Sequence, residues 1–450
     1  MKLHKFKQNL NIIFSLFIGL IIGYFLFGNI YILYEKKKDS IEEPYYAYYV
    51  NNTSTREMPN KNSGLTLDTA KSSCTSGVTI SWNDNNWQAI LDYNNYQKNS
   101  TTRTKCTLYF KKKPVPTATT FLNNLVSGAN KSSTNVYTVP NKTSSSCTYT
   151  LAYDGTSDSN LRYVGANPCN YVTFNGEKAG WRIIGILNTP EGKRIKLVRA
   201  NSIGEYVWDN KAKGTGSSVG NNGSNDWTDS ALKNVLNNGA YYNKTSGTCP
   251  SDPLGATTSC NFTSNGLTEV AKNQIDTITW KLGAGSVHYS YEESSDGLTK
   301  NFYTYERGTI VDKGRPTEWK GKIGLMYPSD YGYATSGGST RNRNDCLAQH
   351  LSNWVGAQIS YGDCHKNDWL FSSGITWTLT PFQGVASSNL NHRDAVFVIY
   401  RNINTDSGEI YTQKAAATKG NVYPSLYLKS STTISSGEGT PENPYVLSGN

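Results

Sequence analysis

Residues 12–33 (IIFSLFIGLIIGYFLFGNIYIL) constrain this chain more than any other stretch, because the run has no charged side chain and only Ser15 and Asn29 are strongly polar. At about 1.5 Å per helical residue it matches the roughly 30 Å hydrocarbon layer of a bilayer, and so predicts a single transmembrane helix. A cleavable signal peptide would have an apolar core of about 7 to 15 residues ahead of a small-x-small site. This run is too long for that, although Lys2, Lys5 and Lys7 precede it. It is also apolar on every face, unlike a soluble amphipathic helix.

Lysines flank the run on both sides, at 2, 5 and 7 and again at 36, 37 and 38, so their count leaves the orientation open. The cysteines decide it. All eight (Cys74, Cys106, Cys147, Cys169, Cys249, Cys260, Cys346 and Cys364) lie downstream and none forms a CxxC pair, which predicts disulfides in an oxidising compartment. Pairing neighbours would close separations of 32, 22, 11 and 18 residues, each worth about 2 to 4 kcal/mol. Eight cysteines allow about 105 connectivities, so the pairing stays open. The expected localisation is the cell membrane, single-pass, with 1–11 as a cytoplasmic tail, 12–33 as the anchor and the bulk extracellular.

A net charge of +10 on 450 residues raises nucleic acid as a partner. Six of the lysines fall in the first 38 residues, however, and the remaining excess forms no basic stripe. No nucleic-acid partner is therefore expected, and the lysines beside the run suit anionic lipid head groups. Forty glycines and thirty-one tyrosines describe a loop-rich exported protein whose aromatic rings supply much of the core.

Residues 34–65 read as a stalk, with Tyr45, Tyr46, Tyr48 and Tyr49 near the membrane interface. Residues 66–113 read as a small β unit. Val78, Ile80 and Trp82 alternate with Thr79 and Ser81, residues 83–86 supply a turn, and CTLYF at 106–110 closes the unit. This predicts a small immunoglobulin-like sandwich, with Cys74 and Cys106 tying its first strand to its last across a core holding Trp82 or Trp87. Trp82, Asn83 and Asp84 match the calcium-site triplet of C-type lectins but are explained by a hairpin turn. Residues 114–145 read as a linker containing a short helix over 119–126 with a threonine cap.

From residue 146 onward the sequence carries a family resemblance. TLAYDGTSDSNLRYVGANPCNYVTFNGEKAGWRIIGIL (150–187), IGEYVWDN (203–210), GSNDWTDSALKNVLN (223–237), YTYERGT (303–309), GKIGLMYPSDYGYATSGGS (321–339), NDWLFSSGITWTLTP (367–381) and YPSLYLKSSTTISSGEGTPENPYVL (423–447) resemble a large set of uncharacterised bacterial cell-surface proteins. Those proteins are similar at fold level to the formylglycine-generating-enzyme branch of C-type-lectin-like domains. The resemblance implies an α+β fold for 146–450. The whole chain is then expected to be α+β: an N-terminal transmembrane helix, a small immunoglobulin-like domain and a large loop-rich lectin-like domain. The chain departs from these proteins at Tyr423-Pro424, where they carry Arg-Pro before the last strand.

The local chemistry adds elements to that frame. Tyr171, Thr173, Trp181, Ile183, Gly185 and Leu187 alternate on either side of an Asn175-Gly176 hairpin turn. Asp226 and Asp229 precede an amphipathic helix holding Leu232, Val235 and Leu236, and Thr268-Glu269 opens a second helical run reaching Trp280. Val396, Val398 and Tyr400, then Leu426 and Leu428, read as terminal strands.

Enzymatic chemistry finds little support. Cys346 and Cys364 could hold copper as thiols but read more simply as a disulfide. His4, His288, His350, His365 and His392 have no HExxH spacing, Asp363, Cys364 and His365 are adjacent in sequence, and no GxSxG occurs. No catalytic residue, metal or cofactor is expected, with an enzyme on the same scaffold as the alternative and a purely structural surface protein as a third reading. The resemblance implies a ligand face before the final strands, formed by Trp377, Phe382, Asn389, Asn391, His392, Arg393, Arg401 and Asn402. Residues 327–333 (YPSDYGY) are a second candidate. The expected partners are the membrane, through the N-terminal helix, and an extracellular glycan or protein.

Overall fold

The computed structural model describes residues 44–448 except 62, 85, 98–102, 141, 211–222, 252–254, 286–296, 312–313, 352–353, 355–362, 371–373, 384–394, 403–406 and 416–417. The apolar run at 12–33 lies outside the described residues. Among those described, no helix is long and apolar enough to cross a membrane. About 40% of the structure is strand and 17% helix, spread over several sheets, which corrects the expected α+β class to a mostly β one. The physical reason is the brevity of the helices. Among the described residues the longest helix, Ala118–Ser127, has ten residues, whereas the strands reach thirteen in Glu177–Thr189.

The chain divides into two compact units, 1–114 and 115–450. In the first, Lys105–Lys112 is the organising strand. It pairs in parallel with Tyr45–Val50 and antiparallel with Leu65–Leu67 and Ser73–Cys74, while Thr53–Thr55 extends the edge. The sheet thus takes in residues that the sequence assigns to a stalk. A hairpin of Thr79–Asn83 and Gln88–Asp92 contributes Ile80, Trp82, Ala89 and Leu91 to the core around Leu67, Leu108 and Phe110. This mixed sheet with one hairpin replaces the expected immunoglobulin-like sandwich. The disulfide Cys74–Cys106 joins residues directly opposite each other on adjacent strands of one sheet, and so does not cross the core. In the hairpin, Trp82 Nε1 donates to Asp84 Oδ1 at 2.8 Å and Asn83 Oδ1 accepts from the Asn86 amide, so the Trp-Asn-Asp triplet shapes a turn.

The second unit is built on Glu177–Thr189, which pairs with Tyr171–Phe174, Leu161–Tyr163 and Gly192–Arg199. Asn175 and Gly176 between the first two strands both have positive φ (60° and 77°), the requirement of a two-residue hairpin turn. Gly192–Arg199 pairs in turn with Ser425–Tyr427, and a second sheet holds Gly374–Pro381, Ala395–Asn402 and Ser407–Lys414. Helix Ala231–Asn237 is capped by Ser230, whose side chain accepts from the Lys233 amide, and it buries Leu232, Val235 and Leu236. The helix opened by Thr268 ends at Gln274, and Ile278–Lys281, expected to continue it, is a strand paired with Glu318–Gly321.

All eight cysteines are paired, as Cys74–Cys106, Cys147–Cys169, Cys249–Cys260 and Cys346–Cys364. Reducing compartments do not sustain such a set, so this is an extracellular-type protein.

Candidate functional site

The sequence-predicted ligand residues do not assemble into a described site. Trp377 is fully buried, its Nε1 donating to the Tyr206 carbonyl at 2.8 Å, and Phe382 packs against Phe397 in the core. Arg401 and Asn402 belong to strand Ala395–Asn402, while Asn389, Asn391, His392 and Arg393 lie outside the described residues. The second candidate segment forms the short helix Pro328–Tyr333, every residue of which is buried. Its Asp330 is the centre of a buried charge network that the sequence did not predict.

Three elements converge on Asp330. Arg162, from Leu161–Tyr163, donates through Nη1 to Asp330 Oδ1 at 2.8 Å and through Nε to Asp154 Oδ2 at 3.2 Å. Lys196, from Gly192–Arg199, places Nζ 2.6 Å from Asp330 Oδ2, which also accepts from the Tyr327 amide at 2.9 Å. Burial pushes the Asp330 carboxyl up, but Lys196 and Arg162 pull it down further, to about 2. Lys196 is itself boxed by aromatic rings, with Nζ 4.3 Å from the Tyr327 centroid, 5.2 Å from Trp280 and 5.4 Å from Tyr427. Desolvation lowers its pKa, Asp330 opposing. Glu306 joins from helix Thr299–Arg307, accepting from the Ser329 amide at 2.9 Å and from the Ser329 hydroxyl. Burial raises the Glu306 carboxyl to about 7 against the opposing pull of Arg307.

A cavity of about 230 Å³ is bounded by residues from this network, among them Tyr327, Tyr427, Trp280 and Arg307, together with Asp158 and Lys281. The three aromatic residues are nearly fully buried and form the floor. The charged side chains form the rim, with exposures of 20% for Arg307, 27% for Asp158 and 30% for Lys281. The Arg307 guanidinium lies 3.4 Å from the Tyr303 ring centroid, and the Tyr303 hydroxyl donates to Asp158 and accepts from Asn160 Nδ2. The rim therefore carries one carboxylate and two cations that are already partnered, Lys281 by Glu318, Arg307 by Glu306 at 3.1 Å and Asp158 by Tyr303 and Asn188, with further donor capacity on Lys281 and Arg307.

No protein-family model, curated protein or solved structure matches this chain.

Among the described residues, Cys364 is in a disulfide, the buried His365 ring bonds through Nδ1 to the Trp354 carbonyl at 2.8 Å, and no three His, Cys, Asp or Glu side chains group as metal ligands. The missed residues did leave a trace in the sequence. Arg162 and Lys196 each interrupt a short apolar strand (LRY and IKLV), and a charge flanked by buried positions needs an internal partner.

Proposed function

We propose that this protein is exported, is held at the cell surface by residues 12–33, belongs with the cell-surface proteins it resembles, and binds an extracellular glycan through the rim of Asp158, Arg307 and Lys281. The observation carrying the reading is the rim itself. A carboxylate beside two cations over an aromatic floor supplies the mixed acceptors and donors that sugar hydroxyls need. The supporting network makes the site rigid, which lowers the ordering cost of binding. Glycan-array binding followed by calorimetry tests it. Asp158→Ala and Lys281→Ala should each weaken an array-identified glycan roughly tenfold, on the scale of a lost charge-assisted hydrogen bond, with the melting profile retained. Equal affinity in both variants would remove the site from consideration. Protease applied to intact cells tests the topology, since the second unit should be cleaved there.

A further inference from the structure

A second cavity in the 115–450 unit, of about 160 Å³, is lined by Arg182 and Arg199 together with Met326, Trp369 and Tyr423. Arg182 is held between two rings, its guanidinium carbon 4.2 Å from the Tyr171 centroid and 4.5 Å from that of Trp369. Nε donates to Asn170 Oδ1 at 2.7 Å, and Nη2 donates to Asn167 Oδ1 at 2.9 Å and to the Pro168 carbonyl at 3.0 Å. All three acceptors are neutral, and Nη1 has no acceptor among the described residues. Arg199 differs, because Glu177 Oε2 lies 2.8 Å from its Nη2 and neutralises it. The cavity thus presents one uncompensated guanidinium, largely withdrawn from water, where an anion is favoured.

The dimensions narrow the class of ligand. At about 160 Å³ the space is smaller than the roughly 300 to 1,000 Å³ of sites that enclose a drug-sized molecule, so a small ligand or the terminal residue of a longer one fits. One net positive charge matches a monoanion, and the Trp369, Tyr423 and Met326 walls suit a ring or apolar body. We propose that this cavity binds the carboxylate of a small or terminal acidic ligand, with Arg182 as the anion-recognising residue.

Calorimetry on the full chain, with D-glucuronate and benzoate as probes and glucose and inorganic phosphate as comparisons, tests this. At least one carboxylate should bind at one per chain, more weakly as salt is raised, and more tightly than glucose or phosphate. Arg182→Met should weaken it tenfold or more. Should that variant unfold, Ala200→Phe narrows the cavity with both arginines retained and should cause the same loss. Failure of both carboxylates to bind, undiminished binding in Arg182→Met or Ala200→Phe, or phosphate binding as tightly would overturn the proposal. Asp158→Ala should leave carboxylate binding unchanged, so this site and the glycan-binding rim stand or fall separately.

Discussion

Asp330 carries two buried cations on one carboxylate, and its replacement is correspondingly severe. Asp330→Asn keeps the volume but strands Lys196 and Arg162 without their shared charge. A loss of about 3 to 5 kcal/mol is expected, read as a lower midpoint in chemical denaturation. The pH dependence at this residue has a defined sign. Its folded pKa of about 2 lies below the ordinary carboxylate value, so its stabilisation is present above about pH 4 and disappears as pH falls toward 2. Glu306 works in the opposite direction. With a folded pKa of about 7, it binds a proton in the native state that the unfolded chain has already released, so stability declines as pH rises from about 4.5 to 7. Glu306→Gln should flatten that decline, and thermal melts at pH 5 and pH 7 would differ less than in the parent protein. Trp377 belongs to the core, so truncating it to alanine is a packing lesion of about 3 to 5 kcal/mol, visible in melting before any binding assay.

Among the elements, those with local punctuation were readable in advance. The hairpin over Asn175 and Gly176 is dictated by two adjacent residues that tolerate positive φ. A Cβ at Gly176 would meet no atom within 4 Å, so Gly176→Ala tests backbone strain alone and should cost about 1 kcal/mol. The spacing of Leu232, Val235 and Leu236 predicts helix Ala231–Asn237, although the cap is Ser230 and Asp226 instead caps the preceding 3-10 turn. Ser230→Ala should remove about 1 kcal/mol of stability. In Ile278–Lys281 the isoleucine and tryptophan suit either period, and pairing with Glu318–Gly321, some forty residues away, decides for strand. The parallel partnership of Tyr45–Val50 with Lys105–Lys112 was equally invisible, since a tyrosine-rich stretch beside an apolar run also reads as an interfacial belt.

For the molecule as a whole, the two units differ in how much they depend on their cysteines. Among the described residues, Leu67, Cys106, Leu108 and Phe110 are the buried members of the first unit's core, whereas the second unit's buried core is continuous and far larger. Cys74→Ala paired with Cys106→Ala should therefore lose roughly 3 kcal/mol in the first unit. Denaturation followed by near-ultraviolet circular dichroism should then resolve an early transition while the second unit's transition stays in place. The sequence by itself determined the oxidising compartment, the even set of paired cysteines and several short elements, because composition, spacing and turn chemistry act locally. Only the tertiary structure decided that the fold is mostly β, that Trp377 and Phe382 fill core, and that Arg162, Lys196 and Asp330 meet beneath a cavity. Those outcomes depend on pairings between distant residues, such as Arg162 and Asp330 at 168 positions apart, where burial and charge compensation are settled by neighbours that no local window contains.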